Sequence, residues 1–326
     1  MPGKELYFTG SRSVTVDEAS VPTPDGGQVR VRTELSGISP GTELLVYRGE
    51  VASDLPTDET IDALDGTFSY PLRYGYAAVG RVTAVGDGVD DDWLDRRVFA
   101  FNPHESHFLA DPETLVPTTL PPERAVFIPN TEAAVNFAMD ARPRIGARVV
   151  VFGQGPVGLL TTAVLSEFPL SSLVTVDRCE RRRRLSESLG ADRSVPPEEL
   201  GVDDADITFE LSGNPTALDD AIDATGWAGQ VIVGSWYGRK DVELGLDEQF
   251  HRSHVRLRSS QVSRLDPDHT DRWDKERRMA YVRSWLADTD LSALLTHEFD
   301  IDRAADAYRL LDERPDEAVQ VALTYD

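Results

Sequence analysis

Gly153-Gln154-Gly155-Pro156-Val157-Gly158 is the stretch whose residue types and spacing point most directly to chemistry. In a G-x-G-x-x-G the three glycines serve different ends, since Gly153 permits a tight turn, Gly155 lets backbone approach a pyrophosphate, and Gly158 allows helix and strand to pack closely. The phosphates then rest on the N–H groups that open a helix, where the dipole favours negative charge. Upstream, Val149-Val150-Val151-Phe152 is a continuous apolar run of the kind found in strands buried on both faces of a parallel sheet. Downstream, Val157 to Leu165 carries helical apolar spacing. A second strand, Leu173-Val174-Thr175-Val176, ends on Asp177, 19 residues past Gly158. A carboxylate at that place accepts hydrogen bonds from ribose hydroxyls. Strand, glycines, helix, strand and acid occur in order within about 30 residues, which is what the dinucleotide fingerprint requires.

The acid and its neighbours pull the choice of dinucleotide in two directions. A 2′-phosphate beside Asp177 would face a carboxylate at contact distance, so NAD(H) is the simple expectation. Arg178 follows at once and Arg181 and Arg182 come one turn later, and guanidinium groups are natural partners of phosphate. With Asp177 turned outward, those arginines would favour NADP(H). High salt weakens an exposed arginine–phosphate attraction more than hydrogen bonds from ribose to a buried carboxylate, which favours NAD(H).

The elements that hold this stretch change character near residue 121. Before it come short strands and tight turns: Leu6 to Phe8, Ser13 to Val16, the alternating Gln28 to Thr33, Arg81 to Val85 and Arg97 to Phe101. These read as a compact β-rich, barrel-like unit, with residues 50–69 an irregular acidic surface loop. Beyond it strands alternate with helices. Asp206 to Glu210 and Gln230 to Gly234 follow the fingerprint, with a helix over 217–224 between them, and this alternation predicts a doubly wound parallel sheet. Val255 to Ser260 reads as its edge strand. Helices over 272–286 and 304–311 and a closing strand, Val319 to Leu323, complete the chain.

The 326 residues suffice for two domains. There is no run of 18 apolar residues, and Met1 to Glu5 has neither a basic nor an apolar leader region, so a soluble cytoplasmic protein is expected. Cys179 is the only cysteine, which excludes an internal disulfide and a cysteine-based zinc cluster. Fifty-seven acidic against 33 basic residues give a net charge of −24. That field disfavours nucleic acid and anionic membranes as partners. The acids are scattered through every segment, as on a surface adapted to a salt-rich cytoplasm where screening tames self-repulsion.

Taken together, the chain resembles the medium-chain dehydrogenase/reductase superfamily, whose landmarks it carries nearly end to end. Gly37-Ile38-Ser39-Pro40-Gly41-Thr42 resembles the first active-site loop, and Gly75-Tyr76-Ala77-Ala78-Val79-Gly80 with Val85-Gly86 resembles the second. Ser212-Gly213 and Gly234 resemble the residues that follow the third and fourth strands of the nucleotide domain, with Ser235 and Trp236 next in the chain. The resemblance implies an α/β architecture: a GroES-like β-barrel catalytic domain over 1–121 and 264–326, and a Rossmann dinucleotide-binding domain over 122–263. It also implies cofactor contacts from Gly153 to Gly158, Asp177, Arg178, Arg182, Ser212, Gly213, Gly234, Ser235 and Trp236. Trp236 and Tyr237 form either an aromatic wall for substrate or core packing.

The departures from the zinc-dependent alcohol dehydrogenases of that superfamily bear on mechanism. Ser39 stands in the column of a cysteine ligand, and Gly75-Tyr76-Ala77 stands where those enzymes carry Gly-His-Glu. Glu132 falls near the third ligand position, but a catalytic zinc needs three protein ligands. His104 and His107 can share an ion only in a loop, since a spacing of three on a strand sends them to opposite faces. The sequence therefore implies no metal and is similar to zinc-free quinone oxidoreductases and the bacteriochlorophyllide dehydrogenase branch. Without a Lewis acid, a carbonyl oxygen gaining hydride needs hydrogen-bond donors and an acid. The resemblance places Tyr76, His104, Thr42 and Ser39 in that role, although Tyr76 also suits packing and Thr42 also suits a helix cap. The expected function is zinc-independent NAD(P)(H)-dependent hydride transfer to or from a small carbonyl or alcohol substrate. An enone or quinone reductase and a non-catalytic dinucleotide-binding protein remain alternatives. The edge strand, paired across a two-fold axis in the resembled proteins, implies a homodimer or a tetramer built from it.

Overall fold

The structure, a computed structural model, describes residues 2–325; Met1 and Asp326, the outer ends of the expected catalytic domain, lie outside the described residues. The chain divides into two compact units, Met1–Pro129 with Arg283–Asp326, and Asn130–Val282.

The first unit begins with a hairpin of β1 (Gly3–Gly10) and β2 (Ser13–Ala19). Then comes β3 (Val29–Ile38), followed by helix α1 (Pro40–Arg48). After a long connection follow β4 (Ala78–Val85), β5 (Arg97–Ala100), β6 (His107–Ala110), β7 (Val116–Pro117) and the short helix α2 (Pro122–Ala125). β3 organises the larger sheet, because its ten residues serve three partners. Val29 to Arg32 pair with β6, Val29 to Ser36 with β4, and Leu35 to Ile38 with a strand from the C-terminal part of the chain. The alternation of Val29, Val31 and Thr33 sends one face inward, where Val29 and Val31 meet Val82, Val98 and Phe108. Proline opens α1 with its φ already helical, and Gly49 ends it at φ 74°.

The second unit comprises most of α3 (Ile128–Ala141), then β8 (Arg148–Phe152), α4 (Pro156–Leu165), β9 (Ser172–Val176), α5 (Glu180–Ser188) and β10 (Arg193–Val195). It continues with β11 (Ala205–Glu210), α6 (Pro215–Asp223), β12 (Thr225–Val233), β13 (Arg256–Ser259) and the start of α7 (Lys275–Asp288). The strands are ordered β10-β9-β8-β11-β12-β13 and every pair is parallel. This is a doubly wound Rossmann sheet whose order reverses between β8 and β11, so their carboxyl ends flank the crevice where ligands bind. β10 was not expected, which makes Ser212 and Gly213 follow the fourth strand of this sheet. Back in the first unit, β14 (Leu295–Asp300) runs parallel to β15 (Gln320–Thr324), with α8 (Ala304–Glu313) between them.

The boundaries lie at 129/130 and 282/283, later than the expected 121/122 and 263/264. The second moves because the first turns of α7 are bonded to α3. Arg278 is buried and donates to Glu132 at 2.7 Å and to Asn136 at 2.6 Å. No helix among the described residues is long and apolar enough to cross a membrane.

Candidate active site

The glycine turn has the geometry its sequence predicts. Gly153 sits at φ +88°, and a Cβ there would lie 2.6 Å from the backbone of Ser212. A Cβ on Gly158 would lie 1.9 Å from the carbonyl oxygen of Gly153, so only hydrogen fits where α4 meets the end of β8. Gly155 differs, because a Cβ there meets nothing within 4 Å. It caps α4 without a side-chain acceptor, and Pro156 follows as the first helical residue. Open space over the N–H groups that begin a helix is the setting in which phosphate groups bind.

Asp177 follows β9 and faces the turn. Its Oδ2 accepts the backbone N–H of Gln154 at 2.7 Å and its Oδ1 that of Cys179 at 2.7 Å. The carboxylate is thereby locked in place, and each oxygen retains a lone pair for a ribose hydroxyl. Arg183, which the sequence places in a basic run over 181–184 read as a solvated helix face, holds the same corner by donating to the carbonyl oxygens of Asp177 and Arg178 at 2.8 and 2.9 Å. Arg178 is exposed and Arg182 half-buried. Gln154 requires a correction as a contact residue. Its side chain is wholly buried, donating to the carbonyl of Gly153 and accepting from Thr162, so only its backbone remains for a ligand.

A buried carboxylate that sequence reading missed, Glu210, arranges the next two loops. Its Oε1 accepts from the Ser212 N–H at 2.7 Å, the Ser212 hydroxyl at 2.5 Å and the Gly213 N–H at 3.1 Å. Its Oε2 accepts the Tyr237 hydroxyl at 2.5 Å. The Ser235 hydroxyl accepts from the Gly213 N–H at 2.9 Å, tying the loop after β12 to the loop after β11. Ser212, Gly213 and Ser235 thus come together, and Gly234 is required there because a Cβ would strike Phe137 at 2.5 Å. Tyr237 is anchored rather than presented, while Trp236 stays 39 % exposed. Burial, and then the charge of Glu210, push the Tyr237 hydroxyl well above its ordinary range. The strand of Glu210 also carries Asp206 and Thr208, so an acid at the end of it gave no local signal.

In the first unit, three of the four expected catalytic residues meet. The Tyr76 hydroxyl donates toward the Ser39 hydroxyl at 2.5 Å and lies 3.2 Å from that of Thr42. Burial pushes Tyr76 up to about 12, so it keeps its proton throughout the neutral range. His104, the fourth, requires correction. It is wholly buried, with Ser36 2.6 Å from Nδ1 and Glu43 3.0 Å from Nε2, and it presents no atom to a substrate. Ser36 continues to the Tyr325 hydroxyl at 2.7 Å, and Glu43 continues to Tyr308.

The columns that hold zinc in the resembled enzymes have other partners here. Ser39 and Tyr76 bond to each other. Glu132 lies in the second unit, where the guanidinium of Arg278 occupies its carboxylate. His104 bonds Glu43 and Ser36, whereas His107 turns to the Ser106 hydroxyl. No group of three or more histidine, cysteine, aspartate or glutamate side chains suited to a metal ion occurs among the described residues.

These two units define a class: a GroES-like unit and a Rossmann unit together form the fold of the medium-chain dehydrogenases/reductases. Comparison with known proteins agrees. L-threonine 3-dehydrogenase of Stenotrophomonas maltophilia is 24 % identical over 268 residues, spanning 68 % of this chain and 74 % of that protein. (R,R)-Butanediol dehydrogenase of Bacillus subtilis is 25 % identical over 272 residues, 72 % of this chain and 78 % of that one. Its crystal structure superposes with a TM-score of 0.81 at 20 % identity, covering 99 % and 100 % of the two chains. The RspB dehydrogenase of Escherichia coli, solved with NADH, gives a TM-score of 0.78 at 20 % identity over 99 % and 100 %. No family model matches the chain. The relatives and structural neighbours are zinc-type alcohol dehydrogenase-like members of the superfamily, as the sequence resemblance implied.

Proposed function

We propose that this chain is an NAD(P)(H)-dependent oxidoreductase of the alcohol dehydrogenase-like type that transfers hydride between the dinucleotide and a small carbonyl or alcohol without zinc. The observation that carries the dinucleotide is the open cradle at Gly155 beside the locked carboxylate of Asp177. The backbone of residues 153–158 would hold the pyrophosphate, and Asp177 the ribose. Ser212, Gly213 and Ser235 line the carboxyl ends of the neighbouring strands. When bound, the nicotinamide supplies or accepts the hydride. The chain's own share is to hold and move a proton at the substrate oxygen, for which the Ser39, Thr42 and Tyr76 hydroxyls form a bonded donor set. Asp177 is held by two backbone N–H groups and does not turn outward, which supports NAD(H) over NADP(H).

The exposed edge of β13 supports a homodimer, and the acidic composition supports a halophilic, cytoplasmic protein. The functional test is a fluorescence titration of NADH and NADPH in high salt, followed by a panel of aldehydes, ketones and quinones. Oxidation of bound NADH by aldehydes or ketones is the expected result. Oxidation by quinones alone assigns the reductase reading instead, and binding without turnover on any of them contradicts catalysis.

A further inference from the structure

We infer that Glu43 is the positioning residue of the Ser39–Thr42–Tyr76 hydroxyl set, acting on one active-site loop directly and on the other through His104. This rests on the reading of that set as the group that serves the substrate oxygen.

Glu43 stands in the first turn of α1 and is wholly buried, although a buried carboxylate is costly unless donors satisfy it. Three donors do so, and they come from three separate segments. Oε1 accepts the backbone N–H of Ser39 at 2.7 Å. Oε2 accepts from His104 at 3.0 Å and from the Tyr308 hydroxyl of α8. A helix-capping role needs only the first of these bonds. The second reaches the other loop. With Ser36 on Nδ1 and Glu43 on Nε2, both ring nitrogens of His104 are fixed and the ring cannot rotate. Gly75 rests on that ring: at φ +114°, its Cβ position lies 2.6 Å from Cδ2 and Nε2. The backbone that delivers Tyr76 therefore follows the orientation of His104, which Glu43 sets. The two loops then close on each other where the Tyr76 hydroxyl meets Ser39.

Glu43→Gln keeps the side-chain size but replaces one acceptor oxygen by an NH2 group, so His104 keeps a partner there only by switching tautomer and reversing its bond to Ser36, which disturbs the registration of the second loop. Loss of loop registration of this kind lowers kcat by about a hundredfold, while the Kd for NADH, read on the other unit, stays at its wild-type value. In the same variant, amide exchange over 37–44 and 74–77 speeds up while exchange across β3 and β4 is unchanged. Tyr308→Phe removes a donor from the same carboxylate oxygen but spares Ser39 and His104. It should lower thermal stability and leave kcat and loop exchange close to wild type. The inference is overturned if Glu43→Gln retains wild-type kcat and loop exchange, or if Tyr308→Phe lowers kcat as much, since the effect would then follow core stability alone. Should Glu43→Gln not fold, Ser36→Ala frees the ring at Nδ1. It must accelerate exchange over 74–77, and unchanged exchange there overturns the inference. If the wild type turns over no carbonyl, the proposed function fails, while the exchange data still decide the role of Glu43.

Discussion

Gly155 and Gly158 stand three residues apart and are required for opposite reasons. A methyl group on Gly158 meets the carbonyl oxygen of Gly153 at 1.9 Å, so Gly158→Ala should cost about 1–3 kcal/mol of stability, read by thermal unfolding. A methyl group on Gly155 meets no protein atom, so Gly155→Ala should unfold with the wild type yet bind NADH at least about tenfold more weakly, a loss of ~1.4 kcal/mol. Equal NADH affinity in Gly155→Ala would mean that no phosphate uses this cradle. Asp177 decides the sugar. Because two backbone N–H groups fix its carboxylate, Asp177→Ser should weaken NADH and strengthen NADPH in titrations at high salt. Unchanged NADH affinity in that variant would show that the acid is not the selector. These roles were read from the glycine spacing together with the strands, helix and acid around it. The buried carboxylates Glu43 and Glu210 were not, because nothing local distinguishes a glutamate that gathers donors from distant segments from one that faces water.

Among elements, strands with strong apolar patterns were legible: β8, β9 and β11 lie where the sequence places them, whereas β3 runs on to Ile38 and β12 begins at Thr225, beyond the expected 28–33 and 230–234. The missed strands β6, β7, β10 and β14 are short or polar and exist because a neighbour offers them a partner. β6, for example, is four residues held against Val29 to Arg32 of β3. α3 escaped notice because it buries Asn130, Glu132, Asn136 and Asp140, polar residues that mask its apolar face; Arg278 bonds Glu132 and Asn136, and Arg258 bonds Asp140. β13 carries the prediction at this scale. Its inner side pairs with β12, its other side has no strand among the described residues, and Leu257 upon it is 40 % exposed. Nearby, Ile145 and the 72 % exposed Trp227 line a cavity of about 680 Å³ together with Ala228, Gly229 and Gln230 near the start of β12. That cavity lies away from the glycine turn, and charged side chains, among them Arg142, Arg144, Asp206 and Arg256, share its lining. Light scattering in high salt should give a dimer or a tetramer, and Leu257→Lys should shift it toward monomer. A wild-type monomer at micromolar concentration would contradict a paired edge.

For the whole molecule, charge is the dominant fact. A net charge of −24 with only three lysines produces self-repulsion that water at low ionic strength does not screen. At about 1 M salt the screening length falls to about 3 Å, shorter than the spacing of most surface acids. The chain should therefore lose ellipticity on dialysis into low salt and regain it on return, whereas full stability without salt would contradict adaptation to a saline cytoplasm. The central claim is that this molecule keeps the dehydrogenase fold while hydroxyl groups stand where its resembled relatives place zinc ligands. The most direct measurement combines elemental analysis with NADH-linked carbonyl reduction on one sample, before and after exhaustive dialysis against a chelator in high salt. Well under one zinc per chain and an unchanged rate are expected. One tightly held zinc per chain, with activity that disappears on its removal and returns with added zinc, would contradict it.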